Sequence, residues 1–215
     1  HFSKEIEADA IMLTVLVENI RRVNSKYRFY MNPNEEMVCY PKPYYEYKDG
    51  NLELQHFPVP NENYMYSELS NEDKSKVDKG GKFYQTRKIV NKLGAKKLAQ
   101  KILKIQPFPE FNSANGDSWM LLKKILKNWC EEIDKLVYLV PLPTYHYIED
   151  LADPSKYQDR FAELEKEVDV KILDPLPYFK QFDIEERKSY RFEHDPHLTK
   201  LGHQRLGEFL SRAVT

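Results

Sequence analysis

Glycine is scarce in this chain: 7 residues in 215, with none between Ser118 and Leu201. Phosphate-cradling loops and dinucleotide-binding turns need glycine for positive φ and for close approach of ligand to backbone. The shortage speaks against nucleotide binding of those kinds. Cysteine is scarcer still. Cys39 and Cys130 cannot hold a metal alone, and the sequence leaves open whether they pair or stay free. No stretch approaches the roughly 18 consecutive apolar residues of a membrane span. Residues 1–8 lack the apolar centre of a secretory signal, and no Asn-x-Ser/Thr acceptor is present. Neither charge sign dominates: 33 Lys+Arg face 34 Asp+Glu, a formal net charge of -1. General attraction to nucleic acid or to an anionic membrane is therefore not expected. A cytoplasmic location is the default expectation.

What is present is a folded chain. Hydrophobic residues make up 41% and aromatics 13%, including 15 tyrosines, enough for one domain with a real core. Ala8–Val17 is a nearly continuous apolar run rich in β-branched residues, which predicts a strand buried on both faces. Ile20–Tyr30 alternates charged and apolar residues and suits a short helix at its start. Residues 31–82 are expected to form an excursion. Within it, Tyr44–Tyr47 and Leu52–Leu54 flank Asp49-Gly50, a hairpin signal because both turn positions tolerate positive φ. Residues 67–82 are polar and read as linker, closing on Gly80-Gly81.

Helical spacing covers Tyr84–Lys104, and a second helix is expected from a cap at Asp117-Ser118 to about Ile133, with Leu122, Ile125, Leu126, Trp129, Cys130 and Ile133 inward. Leu136–Val140 reads as a second buried strand, Pro154–Val168 as a helix, and Val168–Leu173 as a third strand. Thr199 caps a last helix whose inward set is Leu198, Leu201, Leu206, Phe209, Leu210 and Ala213. Strands alternating with helices predict an α/β fold, a parallel sheet flanked by helices. With only three core strands the sheet is short and its edge open.

Parallel sheets place their sites beyond the carboxyl ends of the strands. Three segments end there: Glu18-Asn19, Thr144-Tyr145-His146 and the loop after Leu173. The segment Glu193-His194-Asp195-Pro196-His197 comes just before the last helix. A carboxylate two residues from an imidazole, with proline between, can hold the ring in one tautomer and stabilise its protonated form.

Asp195-x-His197, followed by Leu198-Thr199-x-x-Gly202-His203 and an amphipathic helix, resembles the last block of the SGNH/GDSL hydrolases. Val17-Glu18-Asn19 resembles that family's Gly-x-Asn block, with Val17 in place of the glycine. The resemblance implies a flavodoxin-like three-layer fold and a Ser-His-Asp ester hydrolase or acyl transferase. Its substrate would be an acylated carbohydrate or small ester. His197 would act as base, Asp195 would orient it, and Asn19 would donate to the oxyanion. No metal or organic cofactor is implied.

Gly116-Asp117-Ser118 is not read as the nucleophile block, because no buried strand launches it. The chain is instead read as the C-terminal part of such a domain, with the serine outside it. Another segment or a second copy would then complete the open sheet. Four further readings remain: His146 lining the cleft, a thiolate at Cys39 or Cys130, a metal held by Glu193, His194, Asp195 and His197, and a basic face from Lys74 to Lys104. The alternative to an enzyme is a carbohydrate-binding or structural module, with the Tyr40–Tyr47 aromatics stacking on sugars.

Overall fold

The computed structural model describes residues 7–78, 106–193 and 195–214. The expected helix over 84–104, the Gly80-Gly81 linker and His194 lie outside the described residues. The rest is a mixed α/β fold in which a three-stranded parallel sheet, a three-stranded antiparallel sheet and a two-stranded hairpin are joined by helices.

The parallel sheet is built from the runs that carry the apolar signal. β1 (Ala10–Leu16) pairs with β7 (Leu136–Leu142) in register from Ala10↔Leu136 to Leu16↔Leu142, and β7 pairs with β8 (Lys171–Ile172). The order is β1-β7-β8. Β8 is far shorter than the expected 168–173 strand. Its inner edge continues through Leu173 N–H donating to Leu139 O at 2.9 Å, while Ile172 N–H is taken at 2.8 Å by the Glu165 side chain. A side chain thus occupies a donor that a further strand would need, which blunts that edge. Β1 has no partner on its other side among the described residues.

Helices cover the sheet through the apolar stripes that their spacing predicts. The 15-residue helix Asp117–Glu131 buries Leu122, Leu126 and Cys130 as expected, and also Trp119, fully enclosed, which the stripe missed. Its cap is Gly116 without a side-chain bond, not Asp117 or Ser118; Ser118 Oγ accepts instead from Asn24 Nδ2 at 2.9 Å. The segment before it holds a 3-10 turn, Pro109–Phe111, and no strand. The helix Ser155–Glu167 buries Tyr157, Phe161 and Leu164. Phe111, Trp119, Tyr157 and Phe161 pack with ring centroids 5.7–6.4 Å apart, the separation that edge and tilted aromatic pairs favour.

The last helix, Lys200–Ala213, is capped by Thr199, whose Oγ1 accepts from Gly202 N–H at 3.3 Å. Leu198, Leu201, Leu206 and Phe209 pack on the core, but Ala213 is exposed, contrary to its expected place inside. Gly202 is required by space: a Cβ there would stand 2.4 Å from Tyr190 O.

The excursion starts earlier than residue 31. No helix continues through 20–30. A 3-10 turn, Val17–Arg22, gives way to β2 (Tyr27–Met31), because Tyr-Arg-Phe-Tyr alternates with aromatic residues that favour a pleated surface. Β2 pairs antiparallel with β3 (Met37–Pro41), and β3 with β6 (Tyr64–Met65). This sheet was not foreseen. It has its own small core of Cys39, Leu69 and Val77. The hairpin did form where Asp49-Gly50 placed it, between β4 (Tyr44–Lys48) and β5 (Asn51–Gln55), with φ of 48° at Asp49 and 90° at Gly50. The polar stretch expected as linker contains a short helix, Asn71–Ser75, capped by Ser70.

Candidate functional site

The loop between Tyr190 and the last helix is closed by its own backbone. Thr199 N–H donates to Tyr190 O at 2.8 Å, and Arg191 bridges to Leu198. At the tip, Asp195 Oδ1 accepts the His197 amide N–H at 2.9 Å and also meets His197 Nδ1. An ionised carboxylate only accepts, so Nδ1 carries a proton, and in the neutral imidazole this leaves the lone pair on Nε2. The His197 amide and ring hold the Asp195 carboxyl below its usual range. The sequence reading placed these two groups together, and they are together. They are also open: the side chains of His197 and Asp195 are 80% and 54% exposed. No hydroxyl or thiol meets His197 Nε2 among the described residues.

A partly buried ion pair ties this loop to the short helix Tyr145–Ile148 that follows β7. The guanidinium of Arg191 donates through Nε at 2.5 Å and Nη2 at 3.2 Å to the two oxygens of Glu149, the residue that ends that helix. The two side chains are 14% and 7% exposed. Arg191 Nη1 also donates to Phe192 O and Glu193 O, and its guanidinium lies 4.5 Å from the Tyr145 ring centre. Glu149 chiefly, through this pair, raises the already high pKa of Arg191. Beside it, Asp150 receives Lys180 at 2.8 Å and Arg187 at 2.7 Å. Burial pushes the Asp150 carboxyl up, but these two cations outweigh it and leave the group below its usual range.

The sheet edge carries the other expected residues. Because Leu16 pairs with Leu142, the turn bearing Asn19 and the segment Thr144–Ile148 leave the sheet at the same level. Asn19 is exposed and makes no hydrogen bond with Asp195 or His197. In the same turn, Arg21 lies 4.8 Å over the Phe108 ring, and Phe108 meets the half-buried His146 edge-on at 6.1 Å. His146 stacks on Tyr145 at 3.9 Å. A continuous row of side chains thus runs from Arg21 through Phe108, His146 and Tyr145 to Arg191.

The remaining candidates separate. Cys39 and Cys130 are free and buried in different clusters. Burial pushes both thiols up, Cys130 to about 11, so neither is an activated nucleophile. Among the described residues no group of three His, Cys, Asp or Glu side chains could hold a metal ion. No helix among them is long and apolar enough to cross a membrane.

Sequence reasoning missed Glu149 and Arg191. They are 42 residues apart, and no local pattern links them. Comparison with protein-family models, with curated proteins and with solved structures returned no match.

Proposed function

We propose that this chain carries the acid–base half of a Ser-His-Asp ester hydrolase or acyl transferase of the SGNH/GDSL kind, acting on an acylated carbohydrate or small ester. The observation that carries the reading is the Asp195–His197 pair. The carboxylate fixes the ring with Nε2 free, on a loop that Arg191 and Glu149 fasten to the short helix following β7. In this mechanism a serine, supplied from outside the described residues, is deprotonated by His197 Nε2 and attacks the ester carbonyl. The charge developing on His197 is stabilised by Asp195, and the proton passes on to the leaving alkoxide. Asn19 donates its side-chain amide to the oxyanion. The edge of β1 that has no partner among the described residues is where a further segment, or a second copy, would extend the sheet.

The test is hydrolysis of p-nitrophenyl acetate by the full-length protein containing this chain, beside its His197→Ala form. Loss of a triad member costs about 10³-fold or more in rate. An active protein whose rate is indifferent to His197→Ala refutes the proposal.

A further inference from the structure

A recess away from the Asp195–His197 loop has a chemistry of its own. It measures about 400 Å³ and lies between β4, the segments around Asn24 and Lys76, and the start of the 117–131 helix. That is within the size range of small-ligand sites. Asp117, Met120, Leu121 and Lys124 line one side, spaced i, i+3, i+4 and i+7 and therefore on one helix face. All five residues of β4, Tyr44–Lys48, form the opposite side, and Lys26 and Lys76 complete it.

The charges are unequal. Four lysines, at 26, 48, 76 and 124, meet two carboxylates, Glu46 and Asp117, leaving two positive charges in excess in a chain whose net charge is -1. Glu46 is already engaged, with Lys48 Nζ at 2.7 Å and Lys26 Nζ at 3.4 Å. Lys124 has no carboxylate among the described residues; its ammonium rests 3.6 Å from the centre of the Tyr47 ring, which fixes its position. Lys76 is half-buried and also lacks an acidic partner among them. The phenol groups of Tyr45 and Tyr47 make no hydrogen bond among the described residues, which leaves them available to ligand hydroxyls.

We infer that this recess binds a phosphate monoester of a small polyhydroxylated molecule, such as a sugar phosphate. The phosphate would lie between Lys76 and Lys124, and the hydroxyls against the β4 tyrosines. A phosphate monoester carries close to two negative charges at neutral pH, which matches the excess in the recess. Its oxygens take charge-assisted bonds from ammonium groups that have no other ionic partner among the described residues. This inference stands apart from the ester-hydrolase reading, because it involves neither His197 nor any bond cleavage.

Calorimetric titration of the intact chain with glucose 6-phosphate tests it, with glucose and inorganic phosphate as separate probes. Saturable binding at about millimolar concentration or tighter is expected for the sugar phosphate, with weaker binding of inorganic phosphate and none of glucose. Lys76→Gln and Lys124→Gln should each weaken binding about tenfold or more, the effect of one lost charge-assisted bond. Lys124→Arg should restore most of it, and Lys166→Gln, on another helix, should leave it unchanged. Absence of saturable binding overturns the inference, as does indifference to both glutamine variants. Equal affinity for glucose removes the role of the phosphate, and equal affinity for inorganic phosphate removes the role of the sugar.

Discussion

Replacing Glu149 by Gln strands a cation that is largely withdrawn from water. The Arg191 side chain is 14% exposed and that of its partner Glu149 is 7% exposed. Breaking a buried pair from one side costs about 3–5 kcal/mol, because the remaining charge keeps its desolvation penalty without its partner. Arg191 would retain two loop carbonyls and the Tyr145 face, so the lower end applies, about 3 kcal/mol. At about 2–4 °C per kcal/mol for a chain of this size, the melting temperature should fall by roughly 6–12 °C.

Removing both charges is different. Glu149→Leu with Arg191→Met deletes both desolvation penalties, so the double variant should cost clearly less than the two single changes together. Urea unfolding of the four proteins gives the coupling directly. The loop offers a second readout. The His197 amide donates to Asp195 Oδ1 on the segment that Arg191 holds, so its hydrogen exchange should quicken in Glu149→Gln. A single-variant loss below about 1 kcal/mol, or strictly additive effects, would show that the pair does not secure this loop.

Two further outcomes follow from single positions. Gly202→Ala puts a methyl group 2.4 Å from Tyr190 O and should cost about 1–3 kcal/mol in urea unfolding, whereas Gly207→Ala in the same helix meets nothing within 4 Å and should be neutral or stabilising; equal stability of the two variants contradicts the packing argument. Asp174 has its carboxyl raised above the ordinary 3.8 by burial, against hydrogen bonds from Gln158, Leu176 N–H and Tyr157. A raised folded-state value means that its contribution is fully present below the unfolded pKa and is lost as pH rises through the folded one. Asp174→Asn lacks this loss, so unfolding at pH 4 and pH 7 should show the variant comparing better with wild type at pH 7; a deficit that grows with pH contradicts the sign.

The two long strands, the hairpin, three helices and the Asp195–His197 contact were legible because each is written in local terms. A β-branched apolar run, an Asp-Gly turn, a 3.6-residue stripe and two side chains two residues apart need no knowledge of the rest of the chain. Trp119 escaped because it stands one turn ahead of the first leucine of its stripe. The short β8 was overestimated because propensity does not reveal that Glu165 takes the amide of Ile172.

Composition and periodicity by themselves determined the class of fold and the pairing of a carboxylate with an imidazole, since these rest on neighbours in sequence. Only the tertiary structure decided that Tyr27–Met31 is a strand, that Arg191 finds Glu149, and that four lysines gather around β4. Those contacts join residues that chain connectivity leaves far apart. Packing of the core, not any local preference, sets the distances at which their charges meet.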